Sequence, residues 1–246
     1  MGQAKSKSKN KKVNKVQQKF ESKDEYFTKN GGILLEKQMA LSQGQDIGAG
    51  QLKILRECEI KEATNNYDPD LILGSFRGGT VYKGTFDDRT VAIKTAQEAV
   101  PNPKLVDRFL TDASIGMVTC HSNMVKIYGC CLETCVPMTV YEFYPNKDLY
   151  RYLHGEMALQ KLLKWRDRLR VAADVAYALS YMHNALSKPL VHRDVMTFRV
   201  LLDSSFHANY PTLATLWPLL QARKSKNGQS MELRDTLIQS TLKPER

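Results

Sequence analysis

The pattern of apolar and polar positions divides the chain into a strand-rich first part and a helical second part. Leu105, Phe109 and Ala113 recur every four residues and predict one helix that begins near Pro103. The six residues 84–89 are typical of a hairpin turn between two strands. Short β-branched and aromatic runs predict five strands, at residues 71–73, 80–85, 90–94, 124–128 and 137–143.

The second part is dominated by one long amphipathic segment. It predicts a helix over roughly 165–184, with Leu169, Ala172, Ala176 and Leu179 on a common stripe. Shorter helices are predicted at 57–66 and at 25–40, the latter interrupted at Gly31-Gly32. Strands followed by helices predict an α+β fold.

The composition shows that positive charge is concentrated at the start of the chain. The 246 residues are 42% hydrophobic, which permits a real core, and carry a net charge of +10. Seven lysines precede the first acid, Glu21, so residues 1–24 are predicted to be a disordered basic tail. No apolar run approaches the roughly 18 residues that span a bilayer, and no secretory signal is recognised. The five cysteines are expected to be reduced, mostly buried thiols of a cytoplasmic protein.

The amino terminus suggests a lipid anchor. Residues 1–6 fit the pattern for N-myristoylation, which would modify Gly2 after removal of Met1. One acyl chain gives marginal binding, and the lysines supply the second signal at an anionic membrane surface. We therefore expect localisation at the inner face of the plasma membrane. The alternatives are a solubilising lysine tail or a nucleic-acid arm; a nucleic-acid partner is not expected, because the lysines lack interleaved aromatic residues.

Several motifs identify a family resemblance. Residues 191–194 read Val-His-Arg-Asp, the opening of a protein-kinase catalytic loop, and residues 91–94 read Val-Ala-Ile-Lys. Residues 27–35, 62–67 and 128–133 resemble plant wall-associated receptor-like kinases, and the altered catalytic motifs make the chain similar to their cytoplasmic pseudokinase branch. The resemblance implies a protein kinase-like fold, with a complete N-lobe (a five-stranded antiparallel sheet plus one helix) and a truncated helical C-lobe.

The resemblance also implies a domain organisation. A basic, myristoylated tail (1–24) and an N-terminal extension (25–56) precede a partial kinase-like domain (57–208), and a divergent basic tail (209–246) follows, here attributed to a frameshift or alternative splice. The long helix would then leave its apolar stripe exposed, because the helices that cover it in the family are not recognised in this chain.

The resemblance implies a nucleotide site with ATP as its ligand. In the Gly-rich loop Phe76 replaces the second of three glycines, and Asp112 replaces the Glu that pairs with the phosphate-binding lysine. Tyr141 takes the gatekeeper position before the adenine-binding hinge. The implied nucleotide-binding residues are Gly74, Gly79, Val81, Lys94, Asp112, Glu142 and Tyr144.

The catalytic loop departs from the family. Asp194 is expected to be a vestigial proton acceptor that pairs with Arg193 or Arg199. Met196 replaces the lysine at the γ-phosphate, and Arg199 replaces a metal-binding Asn; Thr212 falls where the metal-binding Asp belongs. No metal is expected, since the positive charge of Arg199 stands where the family binds a metal cation.

These residues predict a protein that is not an enzyme, a pseudokinase derived from a serine/threonine kinase. Its expected role is that of a membrane-tethered adaptor in plant immune or receptor-like kinase signalling. The resemblance implies receptor-like kinases or an NLR-type immune receptor as partners. A weak ATP-binding kinase of the wall-associated type and a non-functional truncated remnant are the alternatives.

Overall fold

The computed structural model describes two compact units. The sheet unit comprises residues 1–72, 77–120 and 126–143, and the helical unit comprises 73–76, 121–125 and 144–246. For residues 3–22 only the backbone is described. The described residues are 3–42, 52–76, 78–96, 102–155, 157, 163–192 and 194–211. Gly2, Arg193 and Thr212, which the sequence singled out, lie outside them.

The sheet has six strands, one more than the sequence predicted. The strands are β1 (Lys53–Leu55), β2 (Ile72–Phe76), β3 (Gly79–Phe86), β4 (Arg89–Ala96), β5 (Ile127–Cys131) and β6 (Met138–Glu142), in the spatial order β1-β5-β6-β4-β3-β2. The β5–β6, β6–β4 and β4–β3 pairs are antiparallel, as predicted. The additional strand β1 pairs parallel with β5, so the sheet is mixed and not purely antiparallel.

The turn between β3 and β4 confirms the predicted hairpin. Phe86 pairs with Arg89, so Asp87 and Asp88 alone form the turn. Their φ angles are 47° and 59°, the left-handed pair of a type I′ turn, whose twist matches that of the strands. This hairpin carries Lys94 of β4 into the middle of the sheet.

Two helices pack on the sheet. Helix α2 (Glu57–Ala63) buries Ile60 against Leu55 and Ile93. Helix α3 (Pro103–Val118) begins at the predicted proline, capped by the Asn102 side chain, and buries Phe109 fully. A Cβ on Gly116 would come within 2.7 Å of Ile127 Cδ1, so this glycine permits the close approach of α3 to β5.

The N-terminal helix corrects two predictions. Helix α1 runs from Gln3 to Ser42, where a disordered tail and an interrupted helix were expected. It passes through Gly31 and Gly32 without a break. The disorder prediction weighed only the lack of apolar side chains, whereas Lys, Gln, Ala and Glu are good helix formers. The two glycines are tolerated because the segment around them packs on α3, with Leu34 buried.

The helical unit is built around one long helix. Its elements are α4 (Leu149–Leu153), α5 (Trp165–Asn184), a 3₁₀ turn (Thr197–Arg199), and the strands β7 (Leu201–Leu202) and β8 (Ala208–Asn209), which pair antiparallel. Helix α5 confirms the predicted span, but the buried face consists of Val171, Asp174, Ala178 and Met182. The predicted apolar stripe is largely exposed, as the sequence analysis expected: Leu169 is 51% exposed, Ala172 and Ala176 are exposed, and Leu179 is half-buried.

The ordered core continues past the boundary predicted at residue 208. Asn209 is the second residue of β8, and Tyr210 is completely buried. The Tyr210 amide donates to the Asn123 carbonyl at 2.8 Å, and the Val125 amide donates to the Tyr210 carbonyl at 3.0 Å. The remaining residues of the predicted basic tail, from Thr212 onward, lie outside the described residues.

The five cysteines carry reduced thiols, but burial differs among them. Cys130 and Cys131 are buried, and desolvation raises the pKa of each to about 12. Cys58 and Cys120 are exposed, and Cys135 is half-buried, so the expectation of mostly buried thiols is wrong. Among the helices that the structure describes, none combines the length and apolar character needed to cross a membrane.

Candidate functional site

Lys94 lies at the centre of the sheet unit. On β4 it pairs in register with Val81 of β3 on one side and with Thr139 of β6 on the other. Lys94 is only 2% exposed. A lysine ammonium at such a depth needs an anionic or π partner, because burial otherwise disfavours its charge.

Asp112 of α3 supplies that partner. Lys94 Nζ lies 3.8 Å from Asp112 Oδ2, and 4.7 Å from the centre of the Phe109 ring. The sequence indicated that an aspartate, one methylene shorter than glutamate, reaches the lysine only if the helix moves inward. The structure shows the pair formed, at the outer limit of a salt-bridge distance. Val81, Lys94 and Asp112 are thus brought together in one unit.

Tyr141 completes this buried cluster in a way the sequence did not reveal. Its hydroxyl lies 3.1 Å from Thr139 Oγ1 and 3.5 Å from Asp112 Oδ2. Burial, and next the charge of Asp112, raise the pKa of Tyr141 far above its usual range, so it remains a neutral hydroxyl. The gatekeeper assignment placed the residue at the site but gave no reason to connect it with Asp112.

The Gly-rich segment covers the end of β2 and the start of β3. Gly79 opens β3 opposite Ala96, and Gly74 is buried within β2. Phe76 is the last residue of β2. Gly78 has a φ of 103°, a conformation that only glycine adopts readily, so the connection between β2 and β3 depends on Gly78.

The hinge residues lie at the end of β6 and just after it. Glu142 is the last residue of this strand, and its amide donates to the Lys126 carbonyl at 3.0 Å. Tyr144, two residues later, is 9% exposed. Their assignment to adenine binding stays a prediction.

In the helical unit the catalytic-loop aspartate is neutralised by the chain itself. Arg199 Nη2 donates to Asp194 Oδ2 in a short ion pair. The side chains are 11% and 21% exposed respectively, so the pair is largely withdrawn from water. Arg199 is thus seen as a partner of Asp194, whereas Arg193, the other arginine proposed for this role, lies outside the described residues.

The backbone of Asp194 is held by two aromatic residues. Its amide donates to His192 Nδ1 at 3.2 Å, and the Tyr210 hydroxyl donates to its carbonyl at 3.4 Å. The His192 and Tyr210 rings lie 4.7 Å apart. Burial raises the pKa of Tyr210 well above its usual range. The sequence missed Tyr210 because it lies beyond the recognised motifs.

Asp174 is a second residue that the sequence missed. One of its carboxylate oxygens accepts the Ala208 amide at 2.9 Å and lies 3.1 Å from His207 Nδ1. It thus fixes the start of β8 against α5. The available signal was an acidic residue in the midst of an apolar helical face, between Val171 and Ala178.

The Asp194 carboxylate is already paired with a cation of the chain itself. Mg²⁺ requires nearly octahedral oxygen ligation, whereas the Asp194 carboxylate faces the Arg199 guanidinium. In the part of the chain that the structure describes, no three His, Cys, Asp or Glu side chains cluster as metal ligands. Asp194 and Arg199 form one ion pair in the helical unit, and Lys94 and Asp112 form a second, fully buried pair in the sheet unit.

Comparison with known proteins agrees with this geometry. A family model described as protein tyrosine and serine/threonine kinase matches residues 69–211. The chain is 43% identical over 185 residues to wall-associated receptor kinase 3 of Arabidopsis thaliana, an alignment that covers 75% of this chain and 24% of that protein. It is 38% identical over 190 residues to wall-associated receptor kinase-like 1 of the same plant, covering 77% and 25%.

A solved structure shares the fold. The apo structure of a pseudokinase superimposes with a TM-score of 0.55 at 24% identity, covering 69% of this chain and 62% of the other. The chain spans about a quarter of the length of the curated relatives that it matches. It belongs to the protein tyrosine and serine/threonine kinase family and is related to the wall-associated receptor kinases.

Proposed function

We propose that this chain is a catalytically inactive, kinase-like adaptor. The observation that carries the proposal is the ion pair between Arg199 and Asp194. In a kinase the aspartate that corresponds to Asp194 accepts the proton of the substrate hydroxyl. An asparagine, in the place that Arg199 takes here, binds a metal. A guanidinium remains protonated in proteins, so it neutralises the carboxylate and repels Mg²⁺.

Two further replacements act in the same direction. Met196 cannot provide the charge of the lysine that steadies the γ-phosphate. Phe76 adds a benzyl group in the Gly-rich segment, where a glycine lets the backbone approach the phosphates. With these changes, phosphoryl transfer loses both its charge stabilisation and its positioning, and binding is the remaining activity.

Nucleotide binding is the part of kinase behaviour that the geometry favours. The Lys94–Asp112 pair and the Tyr141 hydroxyl around it form an intact buried cluster. In this proposal ATP binds without a metal and stabilises the fold as a ligand. The competing function, a weak serine/threonine kinase, requires Mg²⁺ to bind with ATP.

A phosphoryl-transfer assay with Mg²⁺ and radiolabelled ATP tests the proposal. The parent protein should transfer no label to itself or to a generic substrate. Arg199→Asn restores the asparagine that binds a metal in the family and is the variant of interest. Arg166→Asn makes the same substitution at an exposed position of α5 and is its control. Transfer by the parent that disappears in Asp194→Asn would overturn the assignment as a pseudokinase.

A thermal-shift experiment tests nucleotide binding separately. ATP with EDTA should raise the melting temperature of the parent, because a ligand that binds only the folded state stabilises it. Addition of Mg²⁺ should give no further increase. Stabilisation that appears only with Mg²⁺ would favour the kinase alternative.

The proposed adaptor works at the inner face of the plasma membrane. Support comes from the myristoylation pattern at Gly2 and the adjacent lysines. Its proposed partners are receptor-like kinases or an NLR-type immune receptor, in keeping with its wall-associated relatives. A fusion protein that carries Gly2→Ala should no longer localise to the membrane.

A pull-down tests the proposed partners. The parent and Lys94→Arg should retain a receptor-like kinase domain equally. Loss of this partner with Lys94→Arg would contradict an adaptor that binds through its surfaces.

A further inference from the structure

The helical unit contains an open apolar groove. It has a volume of about 310 Å³ and lies between α4, α5 and the loop that follows Asp194. Its aliphatic walls are Leu149, Leu153, Val171, Val175, Val195 and Val200. We call this cavity the α4–α5 groove.

The rim of the groove exposes apolar surface that a folded protein normally covers. Trp165 is 61% exposed and Val195 is 42% exposed, and Ala172, also exposed, lines the same groove. Polar groups are few, namely those of His154, Arg168 and Thr197. A contiguous patch of this kind is typical of a surface that binds an apolar segment.

The chain itself approaches the groove at the last described residues. The Tyr210 hydroxyl donates to the Asp194 carbonyl at 3.4 Å, and the two residues after Asp194, Val195 and Met196, line the groove. Pro211 follows Tyr210 and is the last residue that the structure describes.

The next nine residues have the composition to fill the groove. Residues 212–220 read Thr-Leu-Ala-Thr-Leu-Trp-Pro-Leu-Leu and carry no charge. Four leucines and Trp217 lie within this segment. Nine residues reach about 30 Å when extended, so length does not limit access to a groove wall that begins at Val195, directly after Asp194.

We propose that residues 212–220 dock in the α4–α5 groove of the same chain. A tethered segment has an effective concentration in the millimolar range, which a separate partner or a second copy must exceed. An uncharged, leucine-rich segment also suits the aliphatic walls without desolvating a charge. This inference concerns the folding of the chain and holds whether or not the protein transfers phosphate.

Trp217 provides the test, because the chain contains only one other tryptophan, Trp165. In full-length protein with Trp165→Phe, Trp217 should emit at shorter wavelength than an indole in water and be quenched several-fold less by acrylamide. Ala172→Glu in this background places a carboxylate in the groove and should shift the emission to longer wavelength and restore quenching. Ala173→Glu is the matched control, since this neighbouring alanine is also exposed on α5 but does not line the groove.

Each result decides the proposal. Far-UV circular dichroism establishes that both glutamate variants are folded. A water-like emission of Trp217 in the parent, or an equal response to Ala172→Glu and Ala173→Glu, would overturn docking in the groove. A shorter-wavelength emission that is lost on dilution would show that the segment binds another copy, and would equally overturn docking within one chain.

Discussion

The side-chain amide of Asn30 donates a 2.9 Å hydrogen bond to the main-chain carbonyl of Leu132, 102 residues further along the chain. The same amide donates to the Thr134 carbonyl at 3.0 Å, and Asn30 is only 2% exposed. One buried side chain therefore fastens α1 to the connection between β5 and β6.

Replacement of Asn30 by Ala should lower the stability of the sheet unit. The change leaves two carbonyls without this donor in a buried environment, at a cost of about 1–3 kcal/mol. Urea unfolding monitored by circular dichroism measures the loss. Asn184→Ala, which removes only an exposed bond within α5, is the control and should change stability by no more than about 0.5 kcal/mol. Equal effects would contradict a fastening role for Asn30.

Two glycine-to-alanine changes should have opposite effects. A Cβ on Gly129 would lie 2.5 Å from the Lys53 carbonyl oxygen, so Gly129→Ala should push β1 off β5 and destabilise the protein by at least about 1 kcal/mol. A Cβ on Gly32 meets nothing within 4 Å, and Gly32→Ala should stabilise α1 by about 0.5–1 kcal/mol. Unfolding curves measure both, and hydrogen exchange of the β1 amides locates the first effect.

Glu57 should make the stability depend on pH in the acidic range. Burial alone would raise the pKa of Glu57, but hydrogen bonds from Lys23 and Lys61 outweigh it and the pKa is lowered. The two ammonium groups lie 2.6 Å and 2.5 Å from the carboxylate. A carboxyl whose pKa is depressed on folding stabilises the fold above its unfolded pKa of about 4.3, and this contribution is lost as the pH falls through the folded value.

Glu57→Gln should therefore flatten the acidic limb of the stability curve. Since both lysines are partly exposed, the stabilisation that the variant lacks at pH 7 should be about 1 kcal/mol or less. Urea unfolding across the acidic range measures it, with the difference between parent and variant disappearing at the acid end. A difference that persists there would assign the effect to packing instead of charge.

The buried pair of Lys94 and Asp112 should behave as a coupled unit. Lys94→Met removes the cation and leaves a carboxylate at 0% exposure with the Tyr141 hydroxyl as a remaining neighbour, which should cost about 3–5 kcal/mol. Asp112→Leu should cost a similar amount. The double variant should be more stable than the sum of the two changes indicates. Additive losses in this double-mutant cycle would show that the 3.8 Å pair contributes no coupling.

The elements that local patterns determine were predictable from the sequence. The β3–β4 hairpin followed from two β-prone runs separated by residues 84–89, and α3 followed from Pro103 and the spacing of its apolar residues. Strand β1 was missed because three residues carry no periodicity, and its partner β5 is remote in sequence. The continuity of α1 was missed because packing on α3 compensates for two glycines.

In the candidate site, residues carried by motifs were easier to predict than their contacts. The motifs indicated Lys94 with Asp112, and Asp194 with either Arg193 or Arg199, before the distances were known. The contacts of Tyr141, Asp174 and Tyr210 arise from tertiary packing between segments that share no local pattern. The sequence therefore indicates which residues form a site more readily than it indicates the hydrogen-bond partners that those residues find in the folded chain.

The parallel pairing of β1 with β5 has a consequence for the order of folding. Between these strands in the chain lie α2, three other strands and α3, so β1 cannot add to the sheet until that long loop has closed. Until then the outer edge of β5 presents unpaired amides and carbonyls. The apolar residues Cys130 and Cys131 of this strand, and Leu132 directly after it, lie along the same stretch. Such an edge is a template for pairing with another chain. We therefore expect the three residues of β1 to pair with β5 late in folding and to cover an edge through which the folding chain could otherwise aggregate.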